Sequence, residues 1–188
     1  MSTAKSLILI SVEDYLQGEQ ASEVRHEYVA GTVYAMTGGT NAHATITLNS
    51  VASLHGQLSG KPCSVFSSGT KIRLEVNGRT RFYYPDVSVT CEPNALSEAF
   101  QDKPVVIIEV LSASTRRTDE EEKREAYCTI PTLQCYILLE QDSVGAIVYE
   151  RQGDKWTRLV YTNPDDTIVL PDIHAELPLK TAYDSVEF

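Results

Sequence analysis

The run PVVIIEVL, residues 104–111, constrains this chain more than any other stretch. It is too short for a stable helix and too rich in β-branched residues for a loop. A continuous apolar run of this kind is expected of a strand covered on both faces. A second such run, LQCYILLE, follows at residues 133–140. Between them Thr118 is placed to cap a helix whose first turn carries Asp119, Glu120 and Glu121, acids suited to the positive helix end. That helix is expected to run to about Cys128. Strand, helix and strand in this order predict a βαβ crossover. One residue does not belong in an apolar strand: Glu109, whose burial is costly unless the carboxylate is paired or bound to metal.

The flanking sequence supplies the remaining elements. Ser11 with Asp14 three residues later forms a capping pattern, so a short helix is expected from Ser11 to about Gly18. The segment RHEYVAGTVYAM reads as a hairpin with Gly31 at a position needing positive φ. GGTNAH reads as a turn. From Asn41 to Leu58 a helix is expected, with Ala44, Leu48, Val51, Leu54 (or His55) and Leu58 on its apolar face. Gly60 and Pro62 end it. CSVFSS reads as a strand, and TKIRLEV alternates Ile72, Leu74 and Val76 against Lys71, Arg73 and Glu75. Asn77-Gly78 predicts a hairpin returning through RTRFYY. VSVT is a further strand, and GAIVYER and KWTRLVY pair through Gly153-Asp154. The tail carries short strand-like pieces. These elements predict a single α+β domain over residues 1–188, with one mixed sheet centred on PVVIIEVL.

Charge and hydropathy narrow the function. The chain has 26 acidic and 16 basic residues, a net charge of −10, which lowers the expectation of a polyanion partner. The distribution is uneven, because residues 57–90 hold five bases and two acids. No apolar run approaches the ~20 residues that span a bilayer. The early run Leu7–Ile10 is shorter than the ~7–15 residues of a signal-peptide core. A cytoplasmic protein with no membrane partner is expected. In that compartment disulfides are disfavoured. Cys63, Cys91, Cys128 and Cys135 show no zinc-ligand spacing and are read as small buried hydrophobes. A Cys–His hydrolase is weakly supported, since no local nucleophile pattern marks any Cys. His26, His55 and His174 read as surface or packing residues.

Two carboxylates draw attention. Asp86 follows Tyr83-Tyr84-Pro85 and precedes an alternating strand, at or near a sheet edge or a strand start, since Pro85 cannot donate to a central ladder. Asp86 and Glu109, on neighbouring strands, could converge on one divalent cation, because Mg²⁺ takes one or two carboxylates and leaves room for water and phosphate. Lys123 and Tyr127 lie four residues apart on one helical face. The plainer alternatives are that Glu109 is a strand-end acid paired with Arg116 or Arg117, and that Lys123 is a surface partner of Asp119.

The blocks VRHEYVAGTVYAMTGGTNAH, VFSSGTKIRL, YYPDVSVTCEP, EVLSASTRRTDEEEKREAY and ELPLKTAY occur in this order along most of the chain. Together they resemble the Uma-two family of endonucleases, within the PD-(D/E)XK, or restriction-endonuclease-like, superfamily. The resemblance implies a central mixed β-sheet flanked by helices, with an added N-terminal helix and hairpin and C-terminal strands. It implies Asp86 and Glu109 as catalytic metal ligands, with the Val110 backbone carbonyl as a third. Glu27 matches an N-terminal acid that many superfamily members add to the metal site. The superfamily usually places a Lys two residues after the second acid. Leu111 stands there, and Lys123 matches a lysine supplied from the following helix. Tyr127 and His43 fall on family blocks near the substrate, and a capped helix start is the alternative for His43. The implied activity is Mg²⁺-dependent hydrolysis of DNA phosphodiester bonds, with Mn²⁺ able to substitute, by a homodimer. The competing expectation is a catalytically silent nucleic-acid-binding or oligomerising module on the same fold.

Overall fold

The computed structural model describes residues 9–36 and 38–188. The run Leu7–Ile10 therefore lies partly outside the described residues. In chain order the strands and helices are α1 (Val12–Ala21), β1 (His26–Val29), β2 (Thr32–Ala35), α2 (Asn41–Leu58), β3 (Ser64–Ser67), β4 (Lys71–Val76), β5 (Arg79–Tyr83), β6 (Val87–Thr90), β7 (Phe100–Gln101), β8 (Pro104–Leu111), α3 (Arg124–Tyr127), β9 (Cys135–Glu140), β10 (Ala146–Gln152), β11 (Lys155–Tyr161), β12 (Thr167–Leu170), β13 (Ala175–Pro178) and α4 (Leu179–Ala182). A π-helical turn, Thr118–Lys123, leads into α3.

The mixed α+β class stands, but the single sheet does not. A six-stranded sheet runs β11-β10-β9-β8-β6-β3, a five-stranded sheet runs β2-β1-β5-β4-β7, and β12-β13 form a ribbon. β8 and β9 are parallel, as a crossover requires, while β6 runs antiparallel to β8. The second sheet arises because the Asn77-Gly78 hairpin folds away from β6 and pairs with the N-terminal hairpin.

Strand alternation explains why β8 reads as uniformly apolar. Val106, Ile108 and Val110 face a core built with Ile46, Leu54 and Leu58 of α2 and with the β12-β13 ribbon. Ile107 and Leu111 face a second core containing Ile72, Leu74, Tyr83, Tyr127 and Leu133. Glu109 shares this second face by its period of two. Tyr15 of α1 packs with Tyr28, Phe82 and Phe100 as a third cluster on the five-stranded sheet.

Several local expectations hold. Ser11 caps α1 and its hydroxyl also donates to Asp14, although the helix continues to Ala21. Ala30 and Gly31 both take positive φ at the first hairpin, as do Asn77 and Gly78 at the second. α2 spans the expected residues with a different inward face. It buries Ile46, Ser50, Leu54 and Leu58 and leaves Leu48 exposed. The helix carries small and apolar residues on several sides, so periodicity alone did not select its orientation. Thr118 does not cap a helix. The backbone is already helical at Arg117, and Ser112 Oγ accepts from the Thr115 N–H instead. β7 is a two-residue strand with no sequence signal.

The cysteine expectation fails for one pair. Cys63 and Cys91 form a disulfide across 28 residues. The antiparallel register sets Ser64 opposite Thr90, which brings the two adjoining cysteines together. Reduction, or Cys63→Ser, should cost about 3–4 kcal/mol by loop-closure entropy. Thermal melts with and without reductant measure this, and identical melts would refute it. Cys128 and Cys135 are free, and of the two only Cys135 is fully buried as expected. Burial pushes the Cys128 thiol up to about 11 and Cys135 also upward, which disfavours the thiolate that a Cys–His hydrolase would need.

Candidate active site

Register places the two acids before any side chain is considered. Val87 pairs with Ile108 in the antiparallel β6-β8 ladder, which sets Asp86 opposite Glu109. The backbone links them: the Asp86 N–H donates to Glu109 Oε2 at 3.3 Å, and the Val110 N–H donates to Asp86 Oδ2 at 2.7 Å. Asp86 opens an internal strand, since β3 covers the outer side of β6. Of the two expected placements the strand start holds and the sheet edge does not: Pro85 sits just outside the ladder and need not donate to it.

Glu109 is 3 % exposed, in the face that looks toward the crossover. Lys123 Nζ lies 3.2 Å from Glu109 Oε1 and 3.0 Å from Glu27 Oε1. The Tyr127 hydroxyl donates to Glu109 Oε1 at 3.3 Å. Glu27 arrives from the N-terminal hairpin, and its Oε1 also accepts from the Tyr84 N–H at 3.2 Å. His43 Nε2 stands 3.2 Å from Asp86 Oδ2. Its ring lies against Gly39, where an added Cβ would come within 2.9 Å of the imidazole. The expected capped helix start is also present, because Thr40 accepts from the His43 N–H. The same turn sets the imidazole beside Asp86.

Glu27, His43, Asp86, Glu109, Val110, Lys123 and Tyr127 are thus gathered at one place. Arg116 and Arg117 do not pair with Glu109. Arg116 bonds Glu120 and Glu140, and Arg117 bonds Glu121. The reading of Lys123 as a surface partner of Asp119 is also incorrect as to place. The contact exists at 3.3 Å, but both residues are buried. Asp119 is the site residue the sequence reading missed. It is 2 % exposed, and its carbonyl accepts from the Tyr136 hydroxyl of β9. The one available signal was its i,i+4 spacing to Lys123, which also fits a surface pair.

Electrostatics follow from burial. Desolvation raises the Glu109 carboxyl well above its usual range; Asp119, Asp86 and Glu27 add to the rise and Lys123 opposes it. Burial alone would lower the Lys123 ammonium, but Glu109, Glu27 and Asp119 outweigh it and hold the lysine charged. A hydrogen bond with Asp86 raises His43 despite partial desolvation. Burial keeps the Tyr127 hydroxyl protonated.

Four carboxylates therefore crowd one buried ammonium and one imidazole. A hard divalent cation fits this set, because it relieves the surplus negative charge and takes oxygen ligands. Among the described residues no three His, Cys, Asp or Glu side chains are already gathered as a metal cluster. Asp86 and Glu109, opposite each other at the mouth of the β6-β8 ladder, are the two carboxylates that could share such an ion. Two adjoining hollows open onto the site, of about 340 Å³ beside His43 and Asp86 and about 290 Å³ beside Glu27 and Glu122. Both are lined by Asp119 and Lys123. No helix among the described residues is long and apolar enough to cross a membrane.

Comparison with known proteins agrees with the fold. Residues 12–182 match the model of the Uma2 family, described as "Putative restriction endonuclease". An "Uncharacterized protein slr1290" of Synechocystis sp. is 34% identical over 181 residues, covering 95% of this chain and 94% of that one. A second Synechocystis protein, "Uncharacterized protein sll1609", is 30% identical over 158 residues, covering 82% of this chain and 88% of its own. The crystal structure of a "putative nuclease belonging to DUF820" from Anabaena variabilis superposes with a TM-score of 0.73, at 20% identity. It covers 93% of this chain and 97% of that one, and at this identity the likeness shows a shared fold.

Proposed function

This chain belongs to the Uma2 family, and from that premise we propose that it is a divalent-metal-dependent endonuclease hydrolysing DNA phosphodiester bonds. The observation that carries the reading is the buried Glu109 carboxylate. It lies across the ladder from Asp86, with Lys123 at 3.2 Å. A module that only binds has no need of an acid in that strand, where burial opposes its charge.

Asp86 and Glu109 would hold Mg²⁺, with the Val110 carbonyl as a further oxygen and Glu27 as an additional ligand or a partner of a nearby water. The chemistry Mg²⁺ supplies when bound is charge neutralisation on the phosphate and a lowered pKa for water. Lys123, kept charged by Glu27, Glu109 and Asp119, orients that water and offsets negative charge as the leaving oxygen departs. His43, held by Asp86, offers a donor to the phosphate, and Tyr127 fixes the rotamer of Glu109. Water adds at phosphorus and the P–O3′ bond breaks, leaving 5′-phosphate and 3′-hydroxyl ends. Symmetry of a duplex substrate suits a homodimer.

Incubating the protein with circular plasmid, with Mg²⁺ or Mn²⁺ and with EDTA, tests the reading. Metal-dependent nicking or linearisation supports it, and none with either ion refutes it. Excess Mn²⁺ should also raise the melting temperature, by ~2.7 kcal/mol of stability at a hundredfold excess over Kd. That is about 5–10 °C for a chain this size. Because Glu109 is raised, protons should compete with the ion at unusually high pH. Mn²⁺ affinity should fall with decreasing pH from above the ordinary glutamate value of ~4.3. Calorimetric titration across mildly alkaline to acidic pH reads this directly, and a flat profile would contradict it.

A further inference from the structure

The hollow of about 290 Å³ beside the site has walls unlike those of a phosphate groove. Val29, Ala35 and Met36 line one side, and Tyr34 stands among them with 54% of its surface exposed. Tyr34 is not an incidental surface aromatic. It pairs directly across the hairpin from Glu27, so both side chains leave the same face of the ribbon. Glu27 Oε1 in turn sits 3.0 Å from Lys123 Nζ. An open aromatic face is thereby held one strand away from the proposed reacting groups.

Charge decides what can enter. Glu27, Asp119 and Glu122 line the hollow against Lys123 alone, with Arg81 3.6 Å from Glu122. Another phosphate would be repelled there, whereas an uncharged heterocycle would not. The Tyr34 ring offers it a stacking face, and the Ser114, Thr115 and Thr118 residues and the Glu122 carboxylate offer polar partners at its edge. The volume is near the lower end of the ~300–1,000 Å³ of small-molecule pockets, suited to one nucleoside and too small for a base pair with its backbone.

We propose that this hollow is a nucleobase subsite in which Tyr34 stacks on an unpaired base next to the scissile phosphate. The inference rests on the nuclease reading above and extends it to the substrate class, DNA with at least one unpaired base at the cut. Such a base comes either from a single strand or by extrusion from a duplex.

The test uses fluorescence anisotropy and 2-aminopurine emission on single-stranded and duplex oligonucleotides of one sequence. It is run in Ca²⁺, with the strands checked for integrity on a denaturing gel. Tyr34→Ala should weaken single-strand binding about 5- to 150-fold, the equivalent of ~1–3 kcal/mol for one stacked base. Tyr34→Phe should stay within about twofold. Rising 2-aminopurine emission in the duplex would identify extrusion as the source, and binding confined to the single strand would identify the other. Independently of DNA, titrating the wild type with thymidine or adenosine should shift the NMR signals of Val29, Ala35 and Glu122. Absence of those shifts, or unchanged oligonucleotide affinity in Tyr34→Ala, would overturn the subsite. A wild type that cuts plasmid while Tyr34→Ala binds and cuts equally well sinks the subsite and keeps the nuclease. A wild type that cuts nothing but shows the nucleoside shifts sinks the nuclease and keeps the subsite.

Discussion

Asp86→Ala and Glu109→Ala should each abolish metal-dependent cleavage and weaken Mn²⁺ binding. Each would remove one proposed oxygen ligand, while Glu27 and Asp119 stay in contact with Lys123. Losing several kcal/mol of charge stabilisation at the phosphate corresponds to a drop of about 10³-fold or more. The folded state should survive. In Glu109→Ala the buried ammonium keeps Glu27 at 3.0 Å and Asp119 at 3.3 Å, so no charge is orphaned. The upward shift of Glu109 shows its environment opposing ionisation, and removing it relieves that repulsion. Asp86→Ala frees the Val110 N–H and loosens His43, a smaller local cost. Without metal, both variants should therefore stay folded, Glu109→Ala at a cost of about 1–3 kcal/mol because the buried Tyr127 hydroxyl loses its acceptor, and both should lose the Mn²⁺-induced rise. Calorimetry with Mn²⁺ decides: unchanged affinity in both variants would remove these acids from any metal site. Glu109→Gln, which keeps the shape, separates lost charge from lost packing.

Lys123→Met should remove cleavage while leaving Mn²⁺ affinity equal or higher, since a competing positive charge is gone. If Lys123 were an exposed partner of Asp119, the change would cost only ~0.3–0.5 kcal/mol and spare activity. At 6 % exposure and in contact with three carboxylates, it is not such a pair. Removing one partner of a buried charge set costs ~3–5 kcal/mol, here about 6–20 °C in melting temperature. Mn²⁺ should restore much of the loss by supplying positive charge to the same carboxylates. A variant with full activity would exclude Lys123 from the mechanism. The compensating change Leu111→Lys tests geometry further. Leu111 shares the Glu109 face of β8 but is packed with Tyr83 and Tyr127, so a lysine there must displace aromatic contacts to reach the acids. Partial rescue in the double variant would show that the position of the ammonium matters more than its origin.

The sequence by itself determined the elements and the chemistry of their residues. A β-branched run, two Gly-bearing turns and a Ser–Asp cap depend on backbone preferences and periods of two or 3.6, which are local. The oddity of Glu109 was equally local, one carboxylate among β-branched neighbours. Tertiary structure decided what depends on distance between elements. Which side of α2 faces inward follows from the sheet beneath it, so Leu48 is exposed and Ser50 buried. The split into two sheets follows from hairpin–hairpin pairing that leaves no local trace. Cys63 and Cys91 meet because β3 and β6 share a register, although 28 residues separate them. Asp119 and Lys123 have the spacing of a solvated pair, and only the packing of their π-helical turn against β8 and β9 buried both and set Lys123 against Glu109. An i,i+4 pattern records which side chains share a helix face, whereas burial and charge balance belong to whatever that face meets.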